Sequence, residues 1–160
     1  KTASHNTLEV NGKDSSQVWS GFRVANRARI ISKSAELKPD DHILLHGAHD
    51  GYKSIFGGCI HMRELTFTQN SLAVSDTLRG NFKHGKSRFY FHPDLTIILQ
   101  DELLEIKGPN FILHSDLKGK LASLVDSFWY PEFGLEIPNK FLELKLETPE
   151  LDVEFTWSKH

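Results

Sequence analysis

The run from Cys59 to Leu78 constrains the fold most. His61, Arg63, Leu65 and Phe67 fall on one face of an extended chain, and Ile60, Met62, Glu64 and Thr66 fall on the other. Thr68-Gln69-Asn70-Ser71 is polar and turn-prone, and Leu72, Val74, Asp76 and Leu78 then resume the period of two. The pattern predicts a central hairpin with a histidine and an arginine on an otherwise apolar face. An unpaired buried polar group costs roughly 1–3 kcal/mol. His61 and Arg63 therefore need either a network of protein partners or a ligand.

The rest of the chain repeats this logic in shorter pieces. Asn11-Gly12 suits a type I′ turn, predicting a hairpin between Thr7–Val10 and Gln17–Phe22. Further strands are expected at Ala28–Ile31 and His42–His46, with Ser32–Glu36 open to strand or short loop. Gly47–Tyr52 reads as an irregular loop, with Gly57-Gly58 adding slack beyond it. Past the hairpin, Arg79–Lys86 is a basic loop. Strands follow at Ser87–His92, Leu95–Leu99, Leu103–Ile106, Phe111–His114, Phe141–Glu147 and Leu151–Trp157. Pro93 ends the first of these, because proline donates nothing to a ladder. Leu121, Leu124 and Val125 fit a helical face, yet Gly119 and Ser123 weaken it, and Ala122–Val125 is read as a strand. The sum is an all-β chain: an antiparallel β-sandwich of roughly a dozen short strands. No βαβ alternation is present, which excludes nucleotide-binding folds of that type.

At 160 residues the chain suits one domain, residues 1–160, with a real core. A formal net charge of −2 points away from nucleic acid and anionic membranes. No apolar run reaches membrane-spanning length. A single cysteine rules out an internal disulfide framework. The sequence opens at Lys1 without an initiator methionine, directly before patterned sequence, and is expected to be a domain cut from a longer chain; no signal peptide is visible, and the compartment stays open.

Nine histidines are many for this length, but they are scattered and no H-E-x-x-H motif exists. Any histidine site must be assembled from separate strands, and each ring reads first as a surface or hydrogen-bonded structural residue, except His61, whose strand faces read as buried and which stands equally as a site residue. Cys59 reads as a small buried apolar residue, since no Cys–His motif surrounds it. Phe89-Tyr90-Phe91 reads as core, and Trp129-Tyr130 beside Pro131 as a hydrophobic corner or a sugar platform. Arg23, Arg27, Arg29, Arg79, Lys83, Lys86 and Arg88 form either a solvated surface or the lining of an anionic glycan cleft, with Arg79 and Arg88 the candidate substrate-binding residues.

The opening Ser4-His5-Asn6-Thr7-Leu8-Glu9-Val10-Asn11-Gly12, running on to Gln17, resembles the His-Asn-Thr block of the heparinase II/III-like polysaccharide lyases. His49-Asp50-Gly51-Tyr52, His61-Met62-Arg63-Glu64-Leu65, Val74-Ser75-Asp76 with Gly80, Arg88-Phe89 and His92-Pro93 are similar to that family's next blocks, in the same order.

The resemblance implies a C-terminal β-sandwich that works beside an N-terminal α/α toroid. It implies cleavage of an anionic, uronic-acid-containing polysaccharide by β-elimination, with a tyrosine moving protons and Asn or His neutralising the uronate carboxylate. The tyrosine and asparagine would come from the toroid, so this chain alone is expected to be inactive. The sandwich would contribute the His-Asn-Thr histidine, here His5. Some relatives hold zinc in the sandwich, which implies His61, His5 and Asp14 as ligands, with His49 and Asp50 as alternatives; whether His5 is catalytic or a ligand stays open. A degradative lyase would be periplasmic or secreted. The competing expectation is a non-catalytic carbohydrate-binding or scaffolding sandwich linked to surface polysaccharide metabolism.

Overall fold

Period-two sequence becomes strand throughout the computed structural model, which describes residues 1–19, 23–54 and 58–159. After a 3-10 turn at Thr2–Ser4 come β1 (Leu8–Val10), β2 (Ile30–Leu37), β3 (Ile43–Tyr52), β4 (Cys59–Phe67), β5 (Ser71–Gly80) and β6 (Gly85–Tyr90). Then follow β7 (Thr96–Gln100), β8 (Leu103–Gly108), β9 (Phe111–Asp116), β10 (Leu121–Trp129), β11 (Ile137–Leu146) and β12 (Glu150–Lys159). The strands pair antiparallel into a four-stranded sheet, β1-β6-β11-β10, and an eight-stranded sheet, β2-β3-β4-β5-β12-β9-β8-β7. The expected antiparallel β-sandwich is what forms.

The core lies between the sheets. Leu8 and Val10 of β1 and Leu142, Leu144 and Leu146 of β11 meet Val74, Leu78, Leu104, Ile106, Leu151, Val153 and Phe155 of the larger sheet. Alternation explains the selection: in β12, Leu151, Val153 and Phe155 are buried while Asp152, Glu154 and Thr156 are exposed. Phe89 and Phe91 pack against this core, as expected. Cys59 is buried, and burial pushes its thiol pKa up, which suits a packing role.

Two local expectations change. Gly47–Tyr52 is not a loop but the second half of β3, paired with β4 through Gly47↔Arg63, Ala48↔Met62 and His49↔His61. The register then shifts before Tyr52↔Cys59, so a bulge at Asp50-Gly51 accounts for the irregular sequence. Gly51 is required there, because an added Cβ would lie 2.5 Å from the Ser15 carbonyl oxygen.

Asn11-Gly12 does turn, with φ of 52° and 66°, but it does not close the expected hairpin. The partner of β1 is β6, and the Asn11 side chain accepts the Lys83 and His84 N–H groups at 2.9 and 3.1 Å, tying the turn to the entry of β6. The expected return strand makes only the single bridge Val18↔Val24 among the described residues; its Ser20–Phe22 end lies outside them. Ser32–Glu36 and Ala122–Val125 are both strand. The second pairs with β11 from Leu121↔Lys145 to Trp129↔Ile137, which leaves its helical spacing unused.

Candidate functional site

The central hairpin answers its own question with a network of partners. His61 and Arg63 do face inward, and His61 is 3% exposed. Directly across the ladder from Arg63 stands Asp76, itself 1% exposed. Asp76 Oδ1 accepts from His61 Nε2 and Arg63 Nε, both at 2.7 Å. Its Oδ2 accepts from Arg63 Nη2 at 2.7 Å and Ser87 Oγ at 2.8 Å, so about four lone-pair sites of the carboxylate are all filled. Burial alone would raise the Asp76 pKa, but the hydrogen bonds from His61 and Arg63, with the Arg63 charge, outweigh it and hold the carboxyl well below its usual range.

The chain of contacts continues outward. His61 Nδ1 meets His49 Nε2 at 3.1 Å, and the Gly51 N–H donates to His49 Nδ1 at 3.1 Å. One proton arrangement satisfies every link. His49 accepts from Gly51 and donates through Nε2, and His61 accepts at Nδ1 and donates through Nε2 to Asp76. The His49 ring is then neutral. Burial, reinforced by the neighbouring His61, pushes the His49 pKa down to about 4.

Arg63 also reaches the opening segment. Its Nη1 donates to the Asn6 carbonyl oxygen at 2.6 Å, and Asn6 Oδ1 accepts the Tyr90 N–H at 2.7 Å. Tyr90 Oη donates to the Ala3 carbonyl at 2.5 Å, and Asp14 Oδ1 accepts the Thr2 N–H at 2.6 Å. Residues on both sides of His5 are thus pinned, while His5 itself is exposed at the end of the 3-10 turn. The His-Asn-Thr block divides its work: Asn6 anchors and His5 is presented.

The remaining candidate residues are placed differently from one another. Arg79 is exposed at the end of β5 and makes no ion pair among the described residues. Arg88 is buried instead of lining a glycan surface. Its guanidinium bonds Glu143 at 3.0 Å and Glu9 at 3.2 Å, and Lys86 adds a 2.9 Å contact to Glu143, so the Arg88 charge is already compensated by β1 and β11. His5, His61 and Asp14 are not gathered into a ligand set. Both nitrogens of His61 are engaged, Asp14 holds Thr2, and among the described residues no three His, Cys, Asp or Glu side chains converge as a metal group. The donors as arranged do not fit a zinc ion.

Sequence reasoning missed the inward carboxylate of Asp76 as the partner of Arg63, although both lie on the predicted inward parity. It also missed an open cleft of about 480 Å³ between β6 and β10, lined by Ser4, His92, Trp129, Tyr130 and Asn139 among others. The His92 and Trp129 rings lie 4.9 Å apart there, tilted by 56°. Asn139 and His92 carried no sequence signal for this role.

The comparisons with known proteins agree with this architecture. The sandwich superposes on a heparan sulfate lyase mutant from Pedobacter heparinus with a TM-score of 0.70 at 12% identity, covering 98% of this chain and 24% of that one. The unmutated form of that lyase gives 0.68 at 13% identity, again covering 98% and 24%. A heparinase III gives 0.67 at 9% identity with the same coverage. The chain therefore spans about a quarter of the length of these structures, and at such identities the likeness is one of fold. No curated protein sequence matches it. The model of the heparinase II/III-like C-terminal family matches residues 1–158, and the chain belongs to that family.

Proposed function

We propose that this chain is the C-terminal portion of a longer polysaccharide lyase, which cleaves uronic-acid-containing polysaccharides by β-elimination. The observation that carries the reading is the presentation of His5: exposed itself, with Thr2, Ala3 and Asn6 each held by a hydrogen bond from or to another element. A surface imidazole with no task needs no such scaffold. In β-elimination a base removes the C5 proton next to the uronate carboxylate, the C4–O bond breaks, a C4–C5 double bond forms, and the leaving oxygen takes a proton. His5 would stand at the carboxylate or at the proton being moved, and an N-terminal α/α toroid would supply the facing wall and the other groups. Preorganised groups in a water-excluded cleft supply most of such a rate enhancement. Half a cleft supplies little of it. A lyase of this kind would act in the periplasm or outside the cell.

A non-catalytic glycan-binding sandwich is the second reading, favoured by the aromatic cleft whose lining includes Ser4, the residue before His5. Incubating residues 1–160 with heparan sulfate or alginate, and following the ultraviolet absorbance of the unsaturated uronate product, tests the division of labour. No turnover is expected from this chain alone. Appreciable turnover would mean that it carries its own base, and the toroid assignment would fall.

A further inference from the structure

Among the described residues, the His5 backbone bonds only within its own segment. Its N–H donates to the Thr2 carbonyl at 3.2 Å, and its carbonyl accepts the Thr7 N–H at 2.8 Å. The ties to other elements fall on the residues that flank it, and two of them belong to Tyr90 at the end of β6. Tyr90 Oη donates to the Ala3 carbonyl at 2.5 Å, and the Tyr90 N–H donates to Asn6 Oδ1 at 2.7 Å. One residue therefore closes the stretch Ala3-Ser4-His5-Asn6 at both ends. The ring that carries Oη is itself fixed. Phe141, its partner across the β6–β11 ladder, packs on it with ring centroids 4.7 Å apart. The Arg88 guanidinium stands 5.9 Å from the Phe141 centroid and is held in turn by Glu9 and Glu143. Burial pushes the Tyr90 phenol pKa up, so Oη keeps its proton and donates it.

We propose that Tyr90 is a positioning residue for His5: its hydroxyl and its backbone N–H together set where the imidazole stands. The consequence for catalysis rests on the lyase reading above; the clamp itself does not. The Tyr90 hydroxyl proton is committed to a backbone carbonyl, so the residue acts through the 3-10 turn and not on a substrate. Thr2 is tied separately, to Asp14 and to the Ser15 N–H, so loss of the hydroxyl frees Ala3 without detaching the turn. A catalytic group displaced by about 1 Å can lose a factor of about 100 in rate, which makes a tether at this point matter beyond its own energy. Arg88, expected from sequence to meet a glycan, instead braces Phe141, on which the Tyr90 ring rests.

Tyr90→Phe removes one oxygen and keeps the ring against Phe141, so the variant should fold with a near-native Tm. In residues 1–160, nitrogen-15 relaxation of the Ser4 and His5 amides reads the clamp without any substrate. Their order parameters should lie near the rigid-backbone value of about 0.85 in the wild type and fall clearly in Tyr90→Phe. In the full-length protein the same variant should lower kcat about tenfold, the worth of one hydrogen bond, with KM within about twofold of wild type. A general loss of stability would lower Tm without producing that split. Ser4 and His5 already flexible in the wild type, or equally rigid in folded Tyr90→Phe, would overturn the proposal. So would an unchanged kcat in Tyr90→Phe beside a large loss in His5→Ala; the clamp would then be wrong and the lyase reading would stand. If order falls in Tyr90→Phe and neither variant changes turnover, the lyase reading falls and the clamp stands.

Discussion

Arg63 grips Asp76 directly across the central hairpin, Nε to Oδ1 and Nη2 to Oδ2, each at 2.7 Å. The same guanidinium reaches Ser87 of the smaller sheet at 3.0 Å and the Asn6 carbonyl beside His5. One ion pair therefore joins the two sheets to the segment that presents the candidate catalytic side chain. Removing one member of such a pair leaves a buried charge without compensation. Asp76→Asn and Arg63→Leu should each lower unfolding stability by about 3–5 kcal/mol, measured by urea denaturation. Arg63→Lys should recover only part of this, since an ammonium cannot reproduce the two-bond fork. Near-native stability in either single variant would mean that the network does not hold the sheets.

Acid should act through His49 before it acts through Asp76. Folding holds the His49 pKa at about 4, against about 6.5 for an ordinary histidine. Between those values the unfolded chain binds more protons than the native one, so stability falls as pH drops through that window. The expected loss is about 1–2 kcal/mol, allowing for the partial exposure of the ring. Asp76 is held below its usual range, and its contribution is lost only at lower pH. Thermal melts from pH 7 to pH 4 should therefore show a decline that His49→Gln flattens. An equal decline in that variant would remove His49 as its source.

Asn6 is predicted to matter through position. Its side chain holds the Tyr90 N–H and its carbonyl holds Arg63. Asn6→Ala should cost about 1–2 kcal/mol of stability by leaving that amide without its acceptor. In a full-length enzyme it should lower kcat without matching His5→Ala, because the imidazole remains but is less firmly placed. Identical losses in the two variants would contradict this separation.

Zinc discriminates between a hydrogen-bonded network and a metal centre at His61. A zinc ion there would have to displace His49 or Asp76 from the ring. The network predicts no stoichiometric zinc by elemental analysis and no rise in Tm on adding it. One zinc per chain with a raised Tm would replace the network with a metal site.

Much of this was legible in advance, for identifiable reasons. Alternation named the strands because burial on one face of a sheet writes itself into sequence with a period of two. The short turn after Phe67 even set the register: Phe67 pairs with Leu72, and counting back from there places Arg63 opposite Asp76. What stayed hidden depends on contacts between sequence-distant segments. Asn11 turns toward His84, Arg88 finds Glu9 and Glu143, and Asn6 meets Tyr90. None of these pairings leaves a local pattern. Arg88 is the clearest case, since a basic residue looks the same in sequence whether it faces a glycan or a buried glutamate.

The central claim is that His5 serves a β-elimination site completed by a domain outside this chain. The most direct measurement is the rate at which the full-length protein forms unsaturated uronate product, compared with its His5→Ala variant at saturating substrate. Loss of a positioned proton-transfer or charge-stabilising group should lower kcat by about 10²–10⁴-fold while the melting temperature of this exposed-site variant stays near native. An unchanged rate in the His5→Ala protein would contradict the account.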